Sequence, residues 1–182
     1  MLRDAIGIIE LNSIAKGYEV ADKISKASFV ELVMCKTTCP GKFLIIVSGD
    51  VSSVNTSIET SKEISGKSEV ASFVINNPHE DILKNINRRI INKENINSIG
   101  VVEHSSIASS MRVLDKALKS ADVELIKFIP GNLIGGRSYF IISGELSSIK
   151  ESIENSLNEM GKDRLINFSI ISAPSIELIQ TL

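Results

Sequence analysis

The chain repeats itself, and the repeat constrains every other reading of it. Displaced by 93 residues, Ile6-Gly7-Ile8-Ile9-Glu10 falls on Ile99-Gly100-Val101-Val102-Glu103, and Ser13-Ile14-Ala15 on Ser106-Ile107-Ala108. Asp22-Lys23, Lys26 and Val30-Glu31-Leu32 then meet Asp115-Lys116, Lys119 and Val123-Glu124-Leu125. Two extra residues in the second copy move the displacement to 95, at which Ser48-Gly49-Asp50 meets Ser143-Gly144-Glu145 and Gly66-Lys67 meets Gly161-Lys162. The prolines pair approximately, Pro40 with Pro130 and Pro78 with Pro174. A 182-residue chain is therefore two units of ~90 residues, near the lower end of ordinary domain sizes. The expected domains are 1–91 and 98–182, joined by a polar linker at 92–97.

Both units read as the same string of elements. Residues 5–10 form a short apolar run ended by a charge, hence a strand; Ser13 is placed to cap a helix carrying Ile14, Tyr18, Ala21 and Ile24 at helical spacing. Residues 29–34 read as a second strand. A turn-rich stretch, 36–42, separates it from a third, 43–48, in the manner of a hairpin with a long loop. Asp50 caps a helix through Ser65 with Val51, Val54 and Ile58 inward, Gly66 stops it, and 70–75 closes the unit as a strand. The second copy repeats the order over 98–171, and 78–91 reads as a short helix between them. The order β-α-β-β-α-β predicts an α+β fold, two tandem ferredoxin-like units with helices over one face of an antiparallel sheet.

Composition narrows the function. With 20 Lys+Arg against 22 Asp+Glu the chain lacks the cationic surplus that holds nucleic acid. Hydrophobic residues at 43% and charged residues at 23% suit a globular chain, and no apolar run approaches the ~20 residues of a membrane span. The start lacks the pattern of a secretory signal, so a cytoplasmic location is expected. Cys35 and Cys39 are too few for a disulfide framework.

Several apparent motifs fail on context. Gly131 to Ser138 has P-loop spacing with Arg137 in place of lysine, but it leads into a strand rather than a helix. Gly66-Lys67-Ser68 reads as a helix stop. His104 beside Ser105 reads as a polar residue at a strand end rather than half of a triad, and His79 as a solvated first-turn residue. Cys35, at the end of a β-branched strand, reads as a small core hydrophobe. Cys39 differs: Lys36-Thr-Thr-Cys39-Pro-Gly-Lys42 sets a thiol at a hairpin tip between two lysines whose charges favour the thiolate. One chain still falls short of the four thiolates of an ordinary iron–sulfur site.

Ala5-Ile-Gly-Ile-Ile-Glu10, Val20-Ala-Asp-Lys-Ile-Ser-Lys-Ala27 and Ser48-Gly-Asp-Val51 together resemble the signature of bacterial microcompartment shell domains, and the resemblance covers both repeats. The tandem arrangement with its Cys39 loop is similar to the trimeric branch of that family found in propanediol-utilisation compartments, which carries an iron–sulfur cluster at its pore. The element order matches the unpermuted form.

The resemblance implies a structural subunit of a microcompartment shell in the cytoplasm, not an enzyme. Since single-domain members form hexamers, it implies a pseudo-hexameric homotrimer. It implies one [4Fe-4S] cluster per trimer, held by three Cys39 thiolates at the central pore, for electron transfer across the shell or cluster assembly and repair. Pore loops of Thr38, Pro40, Gly41 and Lys42 and of Gly135 and Gly136 follow, as do lateral shell contacts through Lys26 and Lys119. The implied partners are other shell proteins and an encapsulated or cytosolic redox protein, without nucleic acid or membrane. The family's edge arginine is absent, since Asn76-Asn77-Pro78-His79 and Ser172-Ala173-Pro174-Ser175 stand in its place. Two other readings are a metal-free trimeric pore that gates small molecules and a ligand-binding regulator built on ferredoxin-like repeats.

Overall fold

A computed structural model describes residues 4–85, 96–131 and 135–182. The first repeat runs β1 (Ala5–Leu11), α1 (Ile14–Ala27), β2 (Glu31–Thr38), β3 (Lys42–Gly49), α2 (Val51–Ser65) and β4 (Glu69–Asn76). After α3 (Glu80–Asn85) the second runs β5 (Ser98–His104), α4 (Ile107–Ser120), β6 (Val123–Ile129), β7 (Ser138–Gly144), α5 (Leu146–Met160) and β8 (Leu165–Ser172), followed by α6 (Ile176–Thr181). Of the helix expected over 78–91, residues 80–85 are helical and 86–91 lie outside the described residues, as does most of the linker at 92–97.

Each repeat makes a four-stranded antiparallel sheet, ordered β2-β3-β1-β4 and β6-β7-β5-β8. This is the ferredoxin-like α+β arrangement expected from the element order. By compactness the chain divides into one unit of Met1–Pro78, Ser106–Ser109 and Gly131–Gly136 and another of His79–Ser105, Ser110–Pro130 and Arg137–Leu182.

The helix boundaries follow from their caps. Ser13 Oγ accepts from Lys16 N at 3.3 Å, and Asp50 Oδ1 accepts from Ser53 N at 2.9 Å, each satisfying an otherwise orphaned donor. The Ser53 hydrogen bonds hold the Asp50 carboxyl below its ordinary pKa. Gly66 stops α2 at φ 52°, where a side chain is disfavoured.

In the first sheet, Ile9, Leu11, Phe43, Ile45 and Val47 join Val20, Ala21, Ile24 and Ile58 of the helices in one core. The helices approach closely: a Cβ on Gly7 would lie 3.1 Å from Val54 Cγ1 of α2, and one on Gly100 would lie 2.7 Å from Ile153 Cδ1 of α5. The opposite face is buried too, through Ile6, Ile8, Leu44 and Ile46. That accounts for the unbroken apolar run of β1, since a strand covered on both faces does not alternate. Both edge strands β2 and β6 carry a bulge, at Val33 and at Ile126, 93 residues apart.

Some expectations fail locally. In α1 the buried residues are Gly17, Val20, Ala21 and Ile24, whereas Tyr18 and Ile14 are exposed. The second strand starts at Glu31, leaving Phe29 solvent-exposed, and runs on to Thr38. The hairpin loop is therefore only Cys39-Pro40-Gly41, because Lys36, Thr37 and Thr38 continue the ladder opposite Leu44, Phe43 and Lys42.

His104 closes β5 fully buried, with neither ring nitrogen hydrogen-bonded among the described residues. Burial lowers its pKa to about 4. In the unfolded chain an imidazole titrates near 6.5, so between about pH 6.5 and 4 the unfolded state binds the extra proton. Stability is complete above that window and falls by roughly 3 kcal/mol as the pH drops through it. Leu11 occupies the equivalent place in the first repeat. His104→Leu is expected to flatten the pH dependence of urea unfolding between pH 7 and 4.5, and an unchanged slope would refute the assignment.

Candidate functional site

The loop that carries Cys39 is built from the end of β2 inward. Cys39, Pro40 and Gly41 are exposed at the tip, with Gly41 at φ 75°. Thr38 is buried, its hydroxyl without a partner among the described residues. Of the second loop, Gly135 is exposed and Gly136 is buried, while residues 132–134 lie outside the described residues. Gly136, at φ 74°, packs so closely on the hairpin that a Cβ there would come within 2.5 Å of the Cys39 carbonyl oxygen and 2.6 Å of Pro40 Cδ. The first unit thus brings Cys39, Pro40 and Gly136 together.

Lys42 does not stand beside the thiol as a free charge. Its Nζ donates to Glu10 Oε1 at 2.9 Å and to the Gly136 carbonyl at 3.4 Å. Glu10 is completely buried. Its Oε2 accepts from Ser106 Oγ at 2.6 Å and from Ala108 N at 3.2 Å, and Ser106 Oγ in turn accepts from Ser109 N. A carboxylate at the first turn of a helix is favoured by the orphaned N–H groups and by the helix dipole. Glu10 and Ser106 were landmarks of the repeat and nothing more in the sequence reading. A glutamate next to last in β1, with a lysine starting β3, is the sequence signal for this ion pair.

Lys36, the other lysine expected to flank Cys39, is half-buried, and desolvation lowers its pKa. Cys35 is exposed rather than part of the core, because it sits on the edge strand opposite Ile45, beyond the helices' cover. The part of it turned to the sheet is desolvated enough to push its thiol above the ordinary value. Four residues along a strand, it is roughly 10 Å or more from Cys39. Among the described residues no three His, Cys, Asp or Glu side chains gather in a metal-binding group.

Lys26 and Lys119 lie in the last turns of α1 and α4, each bonded to the aspartate one turn earlier, Asp22 and Asp115. The pairs differ in exposure. Asp115 is 10% exposed and also accepts the backbone N–H of His79 at 2.8 Å, whereas Asp22 is 54% exposed.

Residues 5–78 and 98–174 each match the BMC domain family model, so the two matches cover most of the chain and coincide with its two sheets. The chain belongs to the BMC domain family. It is similar to the bacterial microcompartment shell protein PduT of Citrobacter freundii, at 34% identity over 95% of this chain and 94% of that one. It is also similar to the carboxysome shell protein CcmK2 of Thermosynechococcus vestitus, at 33% identity over 43% of this chain and 80% of that one. Among solved structures, a microcompartment protein from Desulfitobacterium hafniense superposes with a TM-score of 0.80 at 31% identity, covering 98% of this chain and 99% of that one. The family is structural, and the BMC chain is a shell-domain protein rather than an enzyme.

Removing one partner of a buried ion pair leaves the other uncompensated, typically at a cost of several kcal/mol. Glu10→Gln is expected to lower unfolding stability by about 3 kcal/mol. Glu103→Gln, at the equivalent but solvated position, is expected to shift the monomer's stability by less than about 0.5 kcal/mol. Denaturant titration of both dilute variants tests the contrast, which equal losses would contradict.

Proposed function

We propose that the chain is a tandem-domain subunit of a bacterial microcompartment shell, in the cytoplasm, which closes as a homotrimer around an axis lined by the Cys39 hairpins. The observation that carries this reading is the exposed Cys39 thiol at a three-residue tip, braced from behind by Gly136 and by the Lys42–Glu10 pair. Thr38, Pro40, Gly41, Lys42, Gly135 and Gly136 form the pore loops, and Lys26 and Lys119 make lateral contacts with neighbouring shell proteins.

Cys39 alone in one chain does not hold a metal cluster, but three copies about an axis bring three thiolates, which suits a [4Fe-4S] cluster whose fourth iron has an external ligand. Such a cluster supplies one-electron chemistry for transfer between a redox protein on one side of the shell and one on the other, or serves cluster assembly and repair. The protein's own part is to present three thiolates from short, rigid tips. Cys35, away from the tip and with its thiol pushed up, is not a ligand.

The test is the visible spectrum and the iron and sulfide content of protein purified without oxygen, with its mass measured by light scattering. Three times the 19.8 kDa chain is expected, brown and iron-loaded. Cys39→Ser is expected to abolish colour and iron while the trimer persists, and Cys35→Ala to keep both. Iron retained in Cys39→Ser refutes the ligand assignment. A colourless wild-type trimer favours the metal-free pore, and saturable stabilisation of a monomer by a small molecule favours the regulator.

A further inference from the structure

The two repeats have near-identical contact sites, but the sites of one are filled and those of the other are open. In the first unit the Glu10 carboxylate grips the start of α4 through Ser106 Oγ and Ala108 N. Among the described residues its counterpart Glu103 meets only Arg137, the counterpart of Lys42, at 3.1 Å. Exposure measures the difference: the Glu10 and Lys42 side chains are 0% and 16% exposed, those of Glu103 and Arg137 33% and 57%.

The gripped surface shows the converse asymmetry. On α4, Ile107, Ala108 and Met111 are buried; on α1 their counterparts Ile14, Ala15 and Tyr18 are exposed. Asp115 accepts the His79 backbone N–H, while its counterpart Asp22 is half-exposed. The counterpart of His79 is Ser175, which follows the same turn, since Asn77 and Ala173 share a φ of 47°. Gly136 presses on the Cys39–Pro40 backbone, while its counterpart Gly41 has open space where a Cβ would stand. All four comparisons point the same way along the chain.

We infer that a second copy of this chain completes the Glu103 site, its Ser13 hydroxyl and Ala15 N–H bonding to the Glu103 carboxylate. The same contact lays the Ile14, Ala15 and Tyr18 face of that copy's α1 against the second repeat, brings its Asp22 to the Ser175 backbone, and sets its Gly41 against Gly135. The contact is heterologous, joining the tail of one chain to the head of the next, so it propagates until the ring closes. The proposal rests on the trimeric reading and goes beyond it by stating which residues close the ring.

The experiment uses full-length chains disabled on opposite sides. Glu103→Lys removes the acceptor. Ala15→Glu sets a carboxylate against Glu103 while remaining compatible with its own helix, whose first turn favours acidic residues. Each alone is expected to sediment as a monomer with wild-type circular dichroism. Mixed, they are expected to form a larger species, because each carries the half-site the other lacks; a mixture that stays monomeric overturns the pairing. Either variant assembling like wild type also overturns it, while leaving the trimer intact. A monomeric wild type overturns both readings. Glu103→Gln, nearly isosteric, guards against misfolding of the lysine variant and is expected to raise the midpoint concentration for assembly about tenfold or more, as for loss of a hydrogen bond to a charged group.

Discussion

A single buried carboxylate organises the first unit. Glu10 lies on a sheet face otherwise lined by Ile6, Ile8, Leu44 and Ile46, where an ion is costly unless it is paired and hydrogen-bonded. Lys42, Ser106 and Ala108 donate to it from two distant stretches of chain, β3 and the start of α4. Apolar residues in place of both Glu10 and Lys42 would often be as stable or more so, but they would tolerate sliding of the helix start, whereas a carboxylate with directed acceptors does not. Through Lys42 the same ion fixes Gly136, and through Gly136 the backbone of the Cys39 tip. The backbone beneath the exposed thiol is thus tied to a carboxylate buried from solvent.

Most of this fold was legible because duplication doubles every signal. Ser13 and Asp50 are caps in both readings, Gly66 stops α2 in both, and the strand order follows from two copies of one pattern. What failed has a physical reason in each case. The length of the Cys39 loop was overestimated because Lys36-Thr-Thr has turn-like composition, yet pairing with β3 outweighs that preference. Cys35 was expected inside because strand composition does not reveal which strand is at the edge. Tyr18 and Ile14 have the spacing of a core face but not its cover, as periodicity identifies an apolar surface without naming its partner.

The candidate site was half legible. Cys39, its exposure and its neighbours Pro40 and Gly41 follow from the local sequence. The brace behind them does not, since Glu10, Ser106 and Gly136 are scattered over more than a hundred residues and only the fold assembles them. His104 shows how the repeats diverge: where Leu11 completes an apolar core, the second copy buries an imidazole and a serine, Ser138, in place of Phe43.

The bulges at Val33 and Ile126 bear on how such a molecule avoids fibres. An open sheet edge offers unpaired N–H and C=O groups to any similar strand, and a flat one invites endless stacking. Here one edge strand of each sheet, β2 or β6, is bulged at the same point, which breaks the match of its hydrogen-bonding groups to a straight neighbour. Crowded copies of this chain are thereby discouraged from adding strand to strand at these two edges.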